Sequence, residues 1–269
     1  MSDERADWQL PPGVSRATWD YVTSARIASE YDSFHAGHRL LDFDQRFVEN
    51  LLAATGRPLT VLDLGCGTGR SIQNLLAAGH RAIGVDLSAE MLRTAASKTA
   101  QLGEDVADRA AWVRANMVQL EFLADASIDA AICMYSSFGM LRGEENRHRC
   151  LLHVRRCLKS DGVLVVHVHN RGNWWLTQEG RRLARRSWLT RARSRGGEES
   201  GDRVYAYRGL PQMYLHIFTA RELRSLLRNA KMRIRDWVPL NQTSSGPLDR
   251  PDLLPHFRAG GYLVVATPC

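Results

Sequence analysis

The chain has 269 residues, with 36 basic against 29 acidic side chains, 44% apolar content and 24% charge. That length can bury a sizeable core, and the near-average composition excludes collagen-like, disordered and disulfide-scaffold chains. No apolar run approaches the roughly 20 residues of a spanning helix, and the polar start MSDERADWQL is unlike a signal peptide, so a soluble, cytoplasmic protein is expected. The formal charge of +7 is made almost wholly of arginine, whose planar fork suits phosphate and carboxylate: only Lys98, Lys159 and Lys231 are lysine. Cys66, Cys133, Cys150, Cys157 and Cys269 form no C-x-x-C pair and read as reduced, mostly packed thiols, with no metal site.

In chain order, the first 44 residues are expected to form an N-terminal cap. Leu59 to Leu64 is a first strand, followed by the glycine cluster Gly65-Cys66-Gly67-Thr68-Gly69 and a helix from about Arg70 to Ala78, stopped by Gly79. Arg81 to Asp86 is a second strand. Ser88 then caps a helix with Met91, Leu92, Ala95 and Ala96 on its core face. Trp112 to Arg114 and Ala130 to Met134 give the third and fourth strands, and a helix from Glu144 to Cys157 places Cys150, Leu151 and Val154 inward. Gly162 to His169 is a fifth strand, apolar on both faces as a buried parallel strand should be. Between residues 171 and 208 the pattern breaks, with ten arginines against four acids. A globular pattern resumes at Tyr214 to Phe218, then a helix capped by Thr219 and running to about Asn229, then strands near Met232 to Val238 and Tyr262 to Thr267. This alternation predicts an α/β doubly wound parallel sheet in a single domain over 1–269, with 1–44 and an Arg/Trp-rich insert at 171–213 folded over its open edge.

Chemistry concentrates at the first strand-to-helix turn. Glycines there let the backbone bend tightly and let a ligand approach the main chain, and an acid ending the second strand, Asp86, can accept both hydroxyls of a ribose. Arg70 stands where a dinucleotide fingerprint needs its third glycine, and Gly69-Arg70-Ser71 lacks the lysine of a phosphate-binding P-loop. A nucleoside without phosphate fits better.

The stretch Asp63 to Gly69 resembles motif I of the class I S-adenosylmethionine-dependent methyltransferases. Gly84-Val85-Asp86-Leu87-Ser88 with Met91-Leu92 resembles their second motif, and Ala115-Asn116-Met117 their adenine-edge loop, with Asn116 where many members have aspartate. Ser127 to Phe138, the Leu158-Lys159-Ser160-Asp161-Gly162 turn and the upstream Ala28-Ser29-Glu30-Tyr31-Asp32 are similar to further motifs of the family, chiefly its small-molecule branch. The resemblance implies a Rossmann-like, seven-stranded, mostly parallel sheet with a helical cap. It implies S-adenosyl-L-methionine as cofactor, held by Asp63, Gly65, Cys66, Gly67, Gly69, Asp86, Leu87, Met91, Asn116, Met117 and Tyr135. Asp63 either pins loop amides or reaches the ligand's amino group, and Met91 is either core or adenine packing.

Methyl transfer from a sulfonium needs in-line positioning first, and a base only where the acceptor holds a proton of high pKa. Tyr31 and Tyr135 are placed to offer a ring face or hydroxyl to the sulfonium. His169, ending the fifth strand on the same face as His167, is the candidate base or acceptor contact, with His35 and His38 behind it; His153 reads as structural. The insert, in which Trp174 and Trp175 lead into a face of Leu176, Leu183, Ala184, Ser187 and Trp188 opposite Arg181, Arg182, Arg185 and Arg186, admits three roles. It is a cap helix, a lid presented to a membrane or lipid-like substrate, or a phosphate contact with RNA. A small or lipid-like acceptor is the preferred reading, a tRNA methyltransferase the alternative, and a silent cofactor-binding scaffold the third.

Overall fold

A computed structural model of the chain describes residues 5–173 and 199–269. Three helices open it, α1 (Arg16–Val22), α2 (Ala25–Phe34) and α3 (Arg39–Ala53). Ser15 and Ser24 start the first two, their hydroxyls accepting from the Thr18 and Ile27 N–H groups. The core then runs β1 (Thr60–Leu64), α4 (Arg70–Ala77), β2 (Arg81–Asp86), α5 (Ala89–Ala100), the single turn α6 (Glu104–Ala107), β3 (Ala110–Arg114), β4 (Ile128–Cys133), α7 (Glu144–Cys157) and β5 (Leu158–His169). A hairpin of β6 (Asp202–Tyr207) and β7 (Leu210–His216) precedes α8 (Ala220–Asn229), β8 (Met232–Leu240), the short α9 (Pro255–Arg258) and β9 (Gly261–Pro268).

Seven strands pair in the order β3-β2-β1-β4-β5-β9-β8, and only β9 runs against its neighbours. This is the doubly wound, Rossmann-like sheet expected. The strand order reverses between β1 and β4, which opens a crevice outside the carboxyl ends of the strands. Period-two alternation explains how both faces are covered. Val61, Ile132, Val165 and Val265 meet Val48 and Leu52 of α3 and Leu75 of α4 on one side. Leu62, Leu64, Cys133, Val166 and Val264 meet α7 and α8 through Leu151, Val154, Leu223 and Leu227 on the other.

Several boundaries differ from those predicted. α3 runs straight through residue 44, because its second half carries the apolar stripe that packs under the sheet. β3 and β5 begin earlier, at Ala110 and Leu158. On α5, Thr99 is buried and Ala96 is exposed, since 91, 92, 95 and 99 complete the helical stripe and 96 turns out of it. Part of the stretch assigned to the insert is the β6–β7 hairpin, a separate two-stranded sheet. The predicted cap helix around Trp174, Trp175 and Arg181 to Trp188 lies outside the described residues.

Gly84, in the middle of β2, shows how tightly the site's scaffold is packed. A Cβ there would sit 2.7 Å from the Trp112 ring and 2.8 Å from Ile72. Overpacking of this kind costs about 1–3 kcal/mol. Gly84→Ala is therefore expected to lower the denaturant midpoint by a corresponding amount with an unchanged slope, as read by equilibrium unfolding.

Candidate active site

The turn after β1 is built from residues with different tasks. Gly67 has φ +53°, and the nearest atom to a Cβ placed there is a Tyr31 ring carbon 4.0 Å away, so its main chain lies open to the cleft. Gly69 has φ +74° as the N-cap of α4, and a Cβ there would lie 2.5 Å from Trp112; its bareness serves helix–strand packing, and it does not line the cleft. Asp86 locks the turn from β2. Its Oδ2 accepts from the Gly67 N–H at 2.9 Å and its Oδ1 from the Ser88 N–H at 2.8 Å. Burial raises the Asp86 carboxyl above its ordinary value, against the lowering effect of those amide bonds. Thr68 is buried and donates to Asp32 at 2.6 Å; Lys98 bonds Asp32 at 2.9 Å and the Thr68 carbonyl at 3.2 Å. Thus the N-terminal helices are tied directly to the glycine turn.

Of the other candidates, Gly65, Leu87, Met91, Asn116 and Met117 line the same cleft as Asp86 and Gly67. Met91 is also packed on Ile27 and Ala28 of α2, so it is core and cleft wall at once. Asn116 donates to the Pro12 carbonyl at 2.8 Å while its Oδ1 accepts from the Val118 N–H at 3.2 Å, which pins the N-terminal segment to the rim. Asp63 and Cys66 do not line the cleft. Asp63 lies behind the turn, where burial, reinforced by Asp86, pushes its carboxyl up to about 7. Burial likewise pushes the Cys66 thiol well up, so it is a packed, unreactive group, and all five cysteines are unpaired.

Tyr31, Tyr135 and His169 line the same cleft, with the Tyr31 ring beside Gly67. Burial holds both phenols neutral, Tyr135 pushed up to about 12. Burial and the neighbouring His167 push His169 down to about 3. An imidazole so weakly basic stays uncharged at neutral pH and suits orienting a hydrogen-bonded group better than storing a proton. His35 is buried against Tyr31 and Tyr135, with ring centroids 4.6 and 5.3 Å away, and burial followed by His38 lowers it to about 4. His38 lies 5.9 Å from the Tyr135 ring, and neither His35 nor His38 lines the cleft.

Sequence reasoning missed half of the wall. Val14, Thr18, Tyr21 and Val22 of the α1 region line the cleft, as do Tyr205, Tyr207, Met213 and Leu215 of the hairpin. The hairpin closes onto the cap: Tyr207 stands 6.1 Å from Tyr21, Arg208 pairs with Glu30 at 3.3 Å and stacks 4.3 Å over Phe34. Two left-handed residues, Arg208 and Gly209, make its two-residue turn. The cleft, about 1140 Å³ with its mouth, has a mostly apolar wall, and no arginine or lysine lines it among the described residues.

At the base of the hairpin, Glu199, Asp202 and His216 present ligand atoms within 4.8 Å of one another. Those atoms are already engaged. His216 donates to Asp202 at 2.7 Å and to Glu222 at 2.6 Å, and the fully buried Arg147 pairs with Glu199. Burial would lower His216, but the two carboxylates outweigh it and raise the ring above its ordinary value. The cluster is an ionic clasp joining the hairpin to α7 and α8.

Fold and cleft together define a class I methyltransferase architecture. Residues 61–162 match the family model described as a methyltransferase domain, in line with the S-adenosylmethionine-dependent methyltransferase motifs that the same stretch resembles. Among relatives, a dTDP-3-amino-3,6-dideoxy-alpha-D-glucopyranose N,N-dimethyltransferase of Streptomyces fradiae is 28% identical over 159 residues, 58% of this chain and 56% of that protein. A glycine/sarcosine N-methyltransferase of Aphanothece halophytica is 32% identical over 110 residues, 41% of this chain and 40% of its own length. The chain spans about half the length of the curated relatives it matches. In fold it is similar to the 1,6-didemethyltoxoflavin-N1-methyltransferase of Burkholderia thailandensis, solved with its acceptor and S-adenosylhomocysteine: TM-score 0.58, 20% identity, covering 96% of this chain and 92% of that one. S-adenosyl-L-methionine, the family's cofactor, fits the cleft, because the bare Gly67 main chain and the Asp86 carboxylate are where a nucleoside needs an open backbone and a ribose acceptor.

Two measurements check this site. Asp86→Ala is expected to weaken S-adenosylhomocysteine binding in calorimetry by about 10- to 100-fold, the scale of hydrogen bonds to a charged group; unchanged affinity contradicts the ribose assignment. His35 binds a proton more readily unfolded than folded, so it subtracts stability as pH falls from 6.5 towards 4. His35→Gln is expected to flatten the acid limb of a stability–pH curve across that window.

Proposed function

We propose that the chain transfers the methyl group of S-adenosyl-L-methionine to a small or lipid-like metabolite enclosed in the tyrosine-lined half of the cleft. The observation that carries this reading is continuity. One apolar cleft runs from Asp86 and Gly67 to Tyr135, His169 and the hairpin tyrosines, roofed by α1, α2 and the hairpin. A polynucleotide backbone finds no basic side chain among the described residues of that wall. Relatives that act on an amino sugar nucleotide and on glycine support a small acceptor. The four buried, unpaired thiols accord with a reducing, cytoplasmic setting.

The bound cofactor supplies an electrophilic methyl group on a positive sulfur, which leaves as a neutral thioether. The protein's part is to align donor and acceptor, a contribution of roughly 7–11 kcal/mol when geometry is held close to reactive. Asp86 and the Gly67 main chain fix the nucleoside. Tyr31 and Tyr135 offer neutral rings and hydroxyls to the sulfonium. Neutral His169 accepts a hydrogen bond from the acceptor and aims its nucleophilic atom, and the roof keeps water away from the methyl group.

Methyl-labelled S-adenosylmethionine incubated with a small-molecule extract, phospholipid vesicles or total tRNA discriminates the acceptors. Label is expected in the small-molecule or vesicle pool. Label confined to tRNA, lost as salt rises, contradicts the proposal.

A further inference from the structure

Behind Tyr135 and His169 lies a buried acid–imidazole pair that does not line the cleft. Asp44, on α3, and His167, on β5, are 2% and 0% exposed, and Asp44 Oδ2 meets His167 Nδ1 at 2.7 Å. The same oxygen accepts from the Tyr135 N–H at 3.3 Å. Asp44 Oδ1 and His167 Nε2 are buried without a hydrogen-bond partner among the described residues. A pair with unused polar edges stabilises a core no better than apolar residues of the same volume. Its distinctive contribution is direction.

What it directs is the strained end of β4. Tyr135 and Ser136 have φ +51° and +62°, a left-handed conformation that side chains disfavour and that surrounding bonds must hold. Asp44 holds the first of them. Ser136 Oγ accepts from the His169 N–H at 3.4 Å, joining that turn to the tip of β5, and the His167 and His169 rings stand edge to face at 5.6 Å. One carboxylate from the N-terminal helices therefore reaches both strand tips that face the acceptor.

We propose that Asp44 and His167 are a positioning pair that sets the Tyr135–Ser136 turn and His169 at the methyl-transfer end of the cleft. The proposal rests on the methyltransferase reading. It assigns the pair no contact with cofactor or acceptor: Asp44 acts through Tyr135, and His167 through its neighbour His169. The titratable groups facing the pair among the described residues are Tyr135 from the β4 end and His169 from β5, both uncharged at neutral pH.

The test compares S-adenosylmethionine, positive at sulfur, with S-adenosylhomocysteine, neutral there, by calorimetry in wild type, Asp44→Asn and His167→Gln. Displacing the Tyr135 ring from the sulfonium is expected to weaken S-adenosylmethionine by about three- to fivefold and leave S-adenosylhomocysteine within about twofold. Parallel weakening of both ligands, or no change in either, overturns the proposal. Failure of wild type to bind either ligand defeats the underlying methyltransferase reading instead. Should neither variant fold, the wild-type imidazole spectrum decides: a His167 Nδ1 proton protected from exchange and bonded to a carboxylate, with His169 neutral down to about pH 4, is expected, and a freely exchanging His167 overturns it.

Discussion

The Asp86 carboxylate organises the active end of this molecule. It sits at the tip of a strand, in register with Arg114 at the end of β3 and one residue beyond the end of β1, and it takes the Gly67 and Ser88 amides on its two oxygens. Those bonds shape the bend between β1 and α4 so that bare main chain faces the crevice at the switch point of the sheet. Because the acid is half-buried, its charge is costly unless amides or ribose hydroxyls satisfy it. A polar ligand therefore finds there a group already desolvated and already aimed.

The rest of the cleft wall is made differently, by elements that are remote in sequence. The N-terminal helices reach the glycine turn through Asp32 and Thr68, the rim through Pro12 and Asn116, and the β4 tip through Asp44. The hairpin is fixed at its base by the Arg147, His216 and Glu222 clasp and at its tip by Arg208 on α2. Between them lies a chamber of neutral tyrosines and methionines with an uncharged histidine at its floor. A positive sulfur is attracted to such a wall, while the low dielectric disfavours stray ions.

Local signals made most of the fold legible in the sequence. Serine and threonine caps, glycine stops and two-residue alternation placed α4, α5, α7, α8 and the inner strands, since each depends on neighbours a few positions away. The glycine-turn side of the cleft was legible too, because a strand-turn-helix with an acid on the next strand is nearly contiguous. The wall made by the N-terminal helices and the hairpin was not. Arg147 sits in an apparently solvent-facing charged run, yet 147, 150, 151 and 154 form one buried stripe, a signal that was available. Arg208-Gly209 between alternating residues was likewise a hairpin signal submerged in an arginine-rich stretch. The Asp44–His167 bond spans 123 positions and the bond from Tyr135 N–H to Asp44 spans 91; no local pattern encodes either. Gly69 belonged to the motif for a packing reason, Trp112, that only the sheet reveals.

The central claim is that a strand-tip acid and an open backbone bend receive an adenosine. A crystal structure with S-adenosylhomocysteine tests it most directly. The account predicts both ribose hydroxyls within hydrogen-bonding distance of the Asp86 oxygens, the amino-acid tail over Gly67, and the sulfur directed towards Tyr135 and His169. Adenosine bound elsewhere, or an Asp86 carboxylate rotated away from the sugar, would contradict it.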